Sequence, residues 1–131
     1  MRQLTIPTRR REEMIDISDE LRGLVRDQGW QEGALLVYCP HTTGAVTVNE
    51  GADPDVVRDI LVNLGRIVPR HGDYRHAEGN SDAHIKASTF GPDQMLIVSD
   101  GEIQLGTWQK VYFCEFDGPR TRKLWVQFLP A

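Results

Sequence analysis

Short apolar runs separated by polar segments recur along this chain, and they predict strands at both ends with helices between them. Residues 34–39 form a continuous apolar run of the kind found in buried strands, and residues 45–49 alternate as its hairpin partner would. The other runs are short and rich in β-branched or aromatic residues. The predicted strands cover residues 2–8, 13–17, 34–39, 45–49, 95–99, 110–116 and 123–129.

Two segments carry apolar residues at helical spacing between recognisable end signals. The first begins at Ser18, which is expected to cap it, and stops at Gly29. The second begins at Asp53-Pro54, because aspartate caps a helix and proline suits its first position, and ends before Pro69. Their apolar faces are Leu21, Leu24 and Val25 in the first, and Val56, Val57, Ile60, Leu61 and Leu64 in the second.

This order of elements predicts an α+β fold, with a mainly antiparallel β-sheet or β-sandwich and two main helices. The 131 residues fit one domain spanning 1–131, and no repeat or linker interrupts them. Hydrophobic residues make up 40% and charged residues 26%, which is ordinary for a folded domain and argues against disorder.

Charge and cysteine content exclude several classes of function. The net charge of −4 argues against a general nucleic-acid binder, which usually presents a basic face. No apolar run approaches the roughly 20 residues of a membrane span, and the N-terminus lacks the apolar core of a signal peptide. Cys39 and Cys114 both lie in apolar runs, so we expect buried free thiols and a cytoplasmic location, although a disulfide between them would also fit the sequence.

The segment from residue 71 to residue 86 holds three of the four histidines and almost no large apolar residue. His76 and His84 lie within it beside Glu78 and Asp82, and imidazole with carboxylate is a common ligand set for zinc or manganese. An extended backbone from Asp82 to His84 would point both side chains the same way. The segment therefore predicts an open metal or proton-transfer site, although a hydrogen-bonded polar loop would also explain these residues.

Two further candidates flank the predicted hairpin. His41 follows the first hairpin strand and is either a structural residue or a ligand that folds back onto the 71–86 segment. Glu50 ends the second hairpin strand, where it is either a general base or part of a turn.

The second half of the chain adds candidates for ligand contact. Trp108, between Thr107 and Gln109, would stack on an aromatic ligand while its neighbours bind the ring's edge, or would instead plug the core. Arg120 and Arg122 follow an Asp-Gly-Pro turn and could bind a phosphate.

These motifs, in this order, resemble those of the YjbQ family, also called the secondary thiamine-phosphate synthase family. The resemblance covers residues 2–129. The elements Glu78-Gly-Asn-x-Asp-Ala-His84 and Leu105-Gly-Thr-Trp-Gln109 identify the family when they occur together, and neither would suffice alone. The matching elements are His41-Thr-Thr, Asn49-Glu50, Asp53-Pro-Asp, His76-x-Glu-Gly-Asn-x-Asp-Ala-His-x-Lys86, Leu105-Gly-Thr-Trp-Gln109 and Glu115-Phe-Asp-Gly-Pro-Arg120.

The resemblance implies a YjbQ-like α+β sandwich that forms a homotrimer with its polar pocket near the subunit interface. It implies an activity that joins an aminopyrimidine diphosphate to a thiazole phosphate with loss of pyrophosphate, and hence a small phosphorylated substrate. A divalent ion (zinc, manganese or magnesium) would be held by His41, His76 and His84.

The remaining roles are expectations from that reaction. Catalytic roles are expected for Glu50, Glu78 and Asp82. Substrate contacts are expected for Asn49, Asn80, Lys86, Thr107, Trp108, Gln109 and Arg120. Two alternatives stay open: a metal-dependent hydrolase with a histidine and carboxylate site, and a non-catalytic trimeric protein that binds a metabolite or a metal.

Overall fold

Eight strands and three helices make up the chain, and the computed structural model describes all of residues 1–131. The strands are β1 Arg2–Pro7, β2 Glu13–Asp16, β3 Gly33–Tyr38, β4 Gly44–Glu50, β5 Asp93–Ser99, β6 Glu102–Ile103, β7 Gln109–Glu115 and β8 Thr121–Pro130. The helices are α1 Ser18–Gln28, α2 Pro54–Ile67 and α3 Ser81–Phe90.

The strands form two sheets in which all the pairings are antiparallel. The larger sheet has the order β1-β8-β3-β5-β6, and the smaller one has the order β2-β7-β4. Because side chains alternate along a strand, each sheet turns one apolar row toward the other. Leu35 and Val37 from β3 share one hydrophobic cluster with Val111 and Phe113 from β7.

Helix α1 closes this core with Leu21 and Val25, both fully buried. It ends at Gly29, whose φ of 67° lies in the left-handed region that glycine adopts without strain. Ser18 is the first helical residue rather than its cap, because its hydroxyl accepts a hydrogen bond from the Val111 N–H at 2.9 Å.

The outer face of the smaller sheet is covered by α2 and α3, which build a second apolar cluster around Phe116. Asp53 caps α2 as predicted, since its side chain accepts a hydrogen bond from the Asp55 N–H. No α2 residue is fully buried, whereas α3 buries Ala83 and Ala87 against the sheet. None of the three helices combines the length and the apolar content that a membrane span requires.

The predicted α+β class and antiparallel pairing are confirmed, whereas the prediction of only two main helices is wrong. Residues 81–90 form α3, so the expected extended backbone from Asp82 to His84 is also wrong. This helix has almost no apolar stripe, because the face it buries includes Asp82 and Lys86 as well as two alanines. Such a face does not produce the apolar periodicity that indicates a helix in a sequence.

Candidate functional site

A polar pocket of about 330 Å³ lies where the β3–β4 connection, the start of α3 and the β7–β8 turn meet. Apart from Pro40, every residue that lines it is polar or charged. The lining consists of Pro40, His41, Thr42, Thr43, Glu78, Asn80, His84, Asp117, Arg120 and Arg122. We call this cavity the polar pocket.

The floor of the polar pocket rests on a buried ion pair between Arg122 and Glu115. The Nε of Arg122 donates to Oε1 of Glu115 at 2.8 Å, and its Nη2 donates to Oε2 and to the Thr43 hydroxyl. Thr8 donates a further hydrogen bond to Glu115. Burial raises the pKa of Glu115, but the hydrogen bonds from Arg122 and Thr8 outweigh it and lower the pKa overall, so the carboxylate is ionised.

Asp117 joins two other lining residues at the rim. Its Oδ2 accepts from Nδ2 of Asn80 at 2.9 Å and from Nη2 of Arg120 at 2.9 Å. Burial raises the pKa of Asp117, but these two hydrogen bonds lower it by more, so the pKa lies below its ordinary value. The other amide atom of Asn80, Oδ1, is buried and has no hydrogen-bond partner in the chain.

His41 is held in one tautomer by the neighbouring strand. Its Nε2 accepts a hydrogen bond from the backbone N–H of Lys123 at 2.9 Å, which places the imidazole proton on Nδ1. Burial lowers the pKa of His41, and the positive charge of Arg122 lowers it further. His41 is therefore a neutral hydrogen-bond donor at neutral pH, and its Nε2 lone pair is already in use.

His76, in the connection before α3, lies close to His84, in the first turn of that helix. Their ring centres are 5.4 Å apart with the rings almost perpendicular, and Oε2 of Glu78 is 3.9 Å from Nε2 of His76. Both histidines line a second, more open cavity of about 440 Å³ beside Tyr74. His84 also lines the polar pocket, so it connects the two cavities.

No group of three or more His, Cys, Asp or Glu residues in the chain is placed to hold a metal ion. The donor types suit a divalent ion, and His76, His84 and Glu78 are near one another. Nε2 of His41, however, already accepts a hydrogen bond from the backbone N–H of Lys123. The chain therefore brings together two of the three predicted ligands without assembling the set, and the metal site stays a prediction.

Asp82 and Lys86 do not line the polar pocket but lie on the buried face of α3. Asp82 receives both Nη atoms of Arg11, at 3.0 and 3.1 Å, as well as the ammonium of Lys86 at 3.1 Å. Lys86 also donates to Glu12 at 2.8 Å. In the chain these two residues fix α3 to the β1–β2 connection, and neither is exposed to a ligand, so the geometry gives no support to their predicted catalytic and substrate-binding roles.

The other predicted residues lie at the opposite end of the smaller sheet. Gly44 pairs with Glu115 beside the polar pocket, and Glu50 pairs with Gln109 six residues further on, a distance of about 20 Å along a strand. The predicted residues at this far end, which we call the second group, are Asn49, Glu50, Thr107, Trp108 and Gln109. One chain therefore does not gather all the predicted residues into one cavity.

Within the second group, local hydrogen bonds account for two side chains. Oε2 of Glu50 accepts from the N–H groups of Ala52 and Asp53, as the turn interpretation of this residue expects. Oε1 of Gln109 accepts from the Gly106 N–H. Trp108 is 64% exposed, so it does not plug the core.

The carboxylates that orient the two arginines were missed by the sequence interpretation. Glu115 sits in an apolar strand and Asp117 in an Asp-Gly-Pro turn, and each has an ordinary structural explanation there. Their partners are 3 to 7 residues away, across the turn between two strands. The two-residue spacing of Arg120, just before β8, and Arg122, within it, was the available signal.

Comparison with known proteins gives a consistent family relationship. Residues 2–131 match the model of the family described as UPF0047 protein YjbQ-like. The UPF0047 protein YugU of Bacillus subtilis is 48% identical over 130 residues, which is 98% of each chain. A UPF0047 protein of Methanocaldococcus jannaschii is 44% identical over 124 residues, covering 95% of this chain and 90% of the relative.

Solved structures give the same result for the fold. An uncharacterized conserved YjbQ/UPF0047 protein of Clostridium acetobutylicum superposes with a TM-score of 0.96 at 49% identity, over 98% of this chain and 100% of that one. A protein of unknown function from Sulfolobus solfataricus superposes with a TM-score of 0.94 at 28% identity, over 99% and 96% of the two chains.

The predicted thiamine-phosphate synthase activity is wrong. The relatives described above carry only the UPF0047 designation or are described as uncharacterized or of unknown function. Thiamine-phosphate synthase itself belongs to a different fold family. Residue types and motif order led to the right family, but they do not identify a reaction.

Proposed function

Because this chain belongs to the YjbQ-like UPF0047 protein family, and no activity is stated for the members described above, we propose its function from the polar pocket. We propose that this pocket binds a small phosphorylated metabolite. The lining residues offer several cationic or neutral donors around a volume of about 330 Å³. Such a volume suits a small ligand rather than a polymer.

The observation that carries this proposal is that hydrogen bonds within the chain already orient the side chains of Arg120 and Arg122. The Glu115 carboxylate accepts from Nε and Nη2 of Arg122. Asp117 accepts from Nη2 of Arg120 through its carboxylate and from Nε through its backbone carbonyl, while the Nη1 of neither arginine makes a hydrogen bond in the chain. Guanidinium groups held this way are oriented before a ligand arrives, and they match phosphate oxygens well. Arg120 and Arg122 would therefore bind the phosphate at little cost in side-chain entropy.

His41 and Thr42 add neutral donors to the lining of the same pocket. The Nδ1–H of His41 is free to donate because its Nε2 is bound to Lys123. A neutral donor can bind phosphate in both of its common ionisation states, so binding through His41 would not require a proton from solvent.

The direct test is titration of the protein with inorganic phosphate and with ethyl phosphate, followed by calorimetry or by amide chemical shifts. We expect Arg120→Gln to weaken binding about tenfold or more, the usual size for a charged hydrogen bond. Arg58→Gln is the matched control, because Arg58 is also paired with a nearby aspartate but lies on α2. Absence of phosphate binding by the wild-type protein would refute the proposal.

A second candidate function is metal-dependent hydrolysis, which the proximity of His76, His84 and Glu78 favours. A divalent ion held by the two histidines would supply a Lewis acid, with its other ligands coming from solvent or from a partner copy. Elemental analysis of purified wild-type, His76→Ala and His84→Ala proteins tests this. His71→Ala is the control, and equal, negligible metal in all four proteins would exclude the site.

We also propose that the chain forms a homotrimer of β-sandwich subunits. The core shared by the two sheets supports the sandwich description. The outer face of the larger sheet supports assembly, because large apolar side chains are exposed on three neighbouring strands. These side chains, which we call the apolar sheet face, are Tyr38, Met95, Ile97, Trp125 and Leu129.

A further inference from the structure

We propose that the ligand of the polar pocket is a small phosphorylated amine, and that Asn80 is the residue that recognises its amino group. This inference rests on the proposed phosphate-binding function. It concerns the part of the ligand that the arginines do not contact.

The side-chain amide of Asn80 has a defined orientation. Its Nδ2 donates to Oδ2 of Asp117, and an ionised carboxylate can only accept, so the nitrogen must face Asp117 and the oxygen must face away from it. The low pKa of Asp117 keeps that carboxylate ionised at neutral pH. The orientation of the amide therefore follows from its partner.

In this orientation the amide oxygen of Asn80 has no hydrogen-bond partner. Oδ1 of Asn80 is buried without a hydrogen-bond partner, in a residue that lines the polar pocket. Asn80 immediately precedes α3, where an asparagine oxygen commonly caps the first turn. Here the side chain makes no capping hydrogen bond, although the Asn80 carbonyl accepts from the N–H groups of Ala83 and His84.

A buried acceptor without a donor destabilises a protein, and such atoms in native structures call for an explanation. A ligand that donates a hydrogen bond to Oδ1 provides one. The acceptor would then be paired only in the complex, so the protein would discriminate against ligands that lack a donor at this point.

The nearby charges favour an ammonium over a hydroxyl as that donor. Glu78 and Asp117 both line the polar pocket beside Asn80. Carboxylates stabilise an ammonium group, and a neutral hydroxyl gains less from them.

The distance between the two recognition points limits the ligand's size. The same Oδ2 atom of Asp117 lies 2.9 Å from Nδ2 of Asn80 and 2.9 Å from Nη2 of Arg120. The Asn80 amide and the Arg120 guanidinium therefore flank the same carboxylate, so a ligand with a short chain between its amino group and its phosphate would reach both side chains. A short phosphorylated amine has this form.

The experiment compares two probes, O-phosphoethanolamine and ethyl phosphate, which share a phosphate and a two-carbon chain but differ in the amino group. Binding of each to the wild-type, Asn80→Ala and Asn63→Ala proteins is measured by calorimetry. Asn63 is the control because it is an exposed asparagine on α2, away from the pocket. We expect the wild-type and Asn63→Ala proteins to prefer the amine about tenfold or more. We expect Asn80→Ala to prefer the amine by much less, because only the attraction of Glu78 and Asp117 for the ammonium remains.

The outcomes separate this inference from the function on which it rests. If the wild-type protein binds both probes equally, the amine inference is wrong and phosphate binding stands. If it binds neither probe, both proposals fail. If Asn80→Ala folds and keeps the full wild-type preference, Asn80 is not the recognition residue. If that variant does not fold, the wild-type comparison still decides whether the ligand is an amine.

Discussion

The ammonium of Lys86 lies 3.1 Å from the carboxylate of Asp82, one turn away on α3, and the two side chains are only 1% and 0% exposed. A buried charge that loses its partner costs about 3–5 kcal/mol. We therefore expect Lys86→Met to lower the free energy of unfolding by an amount in that range, although Arg11 still neutralises part of the Asp82 charge. Urea unfolding measures it.

The exposed pair Arg58 and Asp59 on α2 is the control for this change. Removing a surface pair typically changes stability by about 0–1 kcal/mol, so Asp59→Asn should have little effect. An equally small effect of Lys86→Met would show that the buried network does not stabilise α3.

The second prediction concerns acid stability. Burial raises the pKa values of Asp82, Glu115 and Asp117, but hydrogen bonds from neighbouring residues lower each of them below its ordinary value. A carboxyl group whose pKa is lowered on folding stabilises the protein above its unfolded pKa, and this stabilisation is lost as the pH falls through the folded pKa. Stability should therefore decline below about pH 4, near the unfolded pKa values.

Urea unfolding at pH 7, 5 and 3.5 measures this dependence. Glu115→Gln should be less stable at pH 7 and should show a shallower decline, because it lacks one of the three groups. A variant that loses stability with the same pH slope as the wild-type protein would exclude Glu115 as a contributor.

The third prediction concerns the ionisation and tautomer of His41. Burial and the charge of Arg122 lower its pKa, and the Lys123 N–H binds its Nε2. Its titration midpoint should therefore lie below the ordinary value of about 6.5, and the neutral ring should carry its proton on Nδ1. Long-range ¹H–¹⁵N correlation spectra across a pH series report both properties. A protonated Nε2 in the neutral ring would contradict the structure.

The fourth prediction concerns the two thiols. Cys39 and Cys114 are free and buried, as the apolar runs around them predicted, and burial raises the pKa of both. A buried thiol with a raised pKa reacts poorly, because the thiolate is the nucleophile. Neither cysteine should react with Ellman's reagent in the native protein, and both should react in denaturant. Fast reaction of either one in the native state would contradict its burial.

Seven of the eight strands and α2 could be predicted from local signals, whereas β6, only two residues long, was missed. Residues 34–39 are uninterrupted in their apolar character, and Asp53-Pro54 is a common helix start. Helix α3 could not be predicted in the same way, because it is held largely by the ion pairs of Asp82 and Lys86 with Arg11 and Glu12. Those partners are more than 70 residues away in sequence, and no local pattern indicates them.

The candidate site was predictable in part for a related reason. The segment that contains His76, Asn80 and His84 was identified from its composition, and these residues do lie near one another. The sequence could not show that Glu50 and Trp108 lie at the far end of the same sheet, because that separation depends on the β4–β7 register. Nor could the sequence show that the main-chain N–H of Lys123 donates a hydrogen bond to Nε2 of His41.

The fifth prediction tests the proposed homotrimer through the apolar sheet face. Met95 and Ile97 are 62% and 66% exposed in the single chain, so Met95→Lys with Ile97→Lys should not weaken the core. Lysines there would have to be desolvated in an interface, which is costly. Light scattering after size exclusion should give the wild-type protein three times the chain mass of 14.9 kDa and the double variant a smaller assembly.

Ile67→Lys, which changes an exposed position on α2, is the control and should leave the mass unchanged. A monomeric wild-type protein would refute the trimer, and a trimeric double variant would place its interface elsewhere.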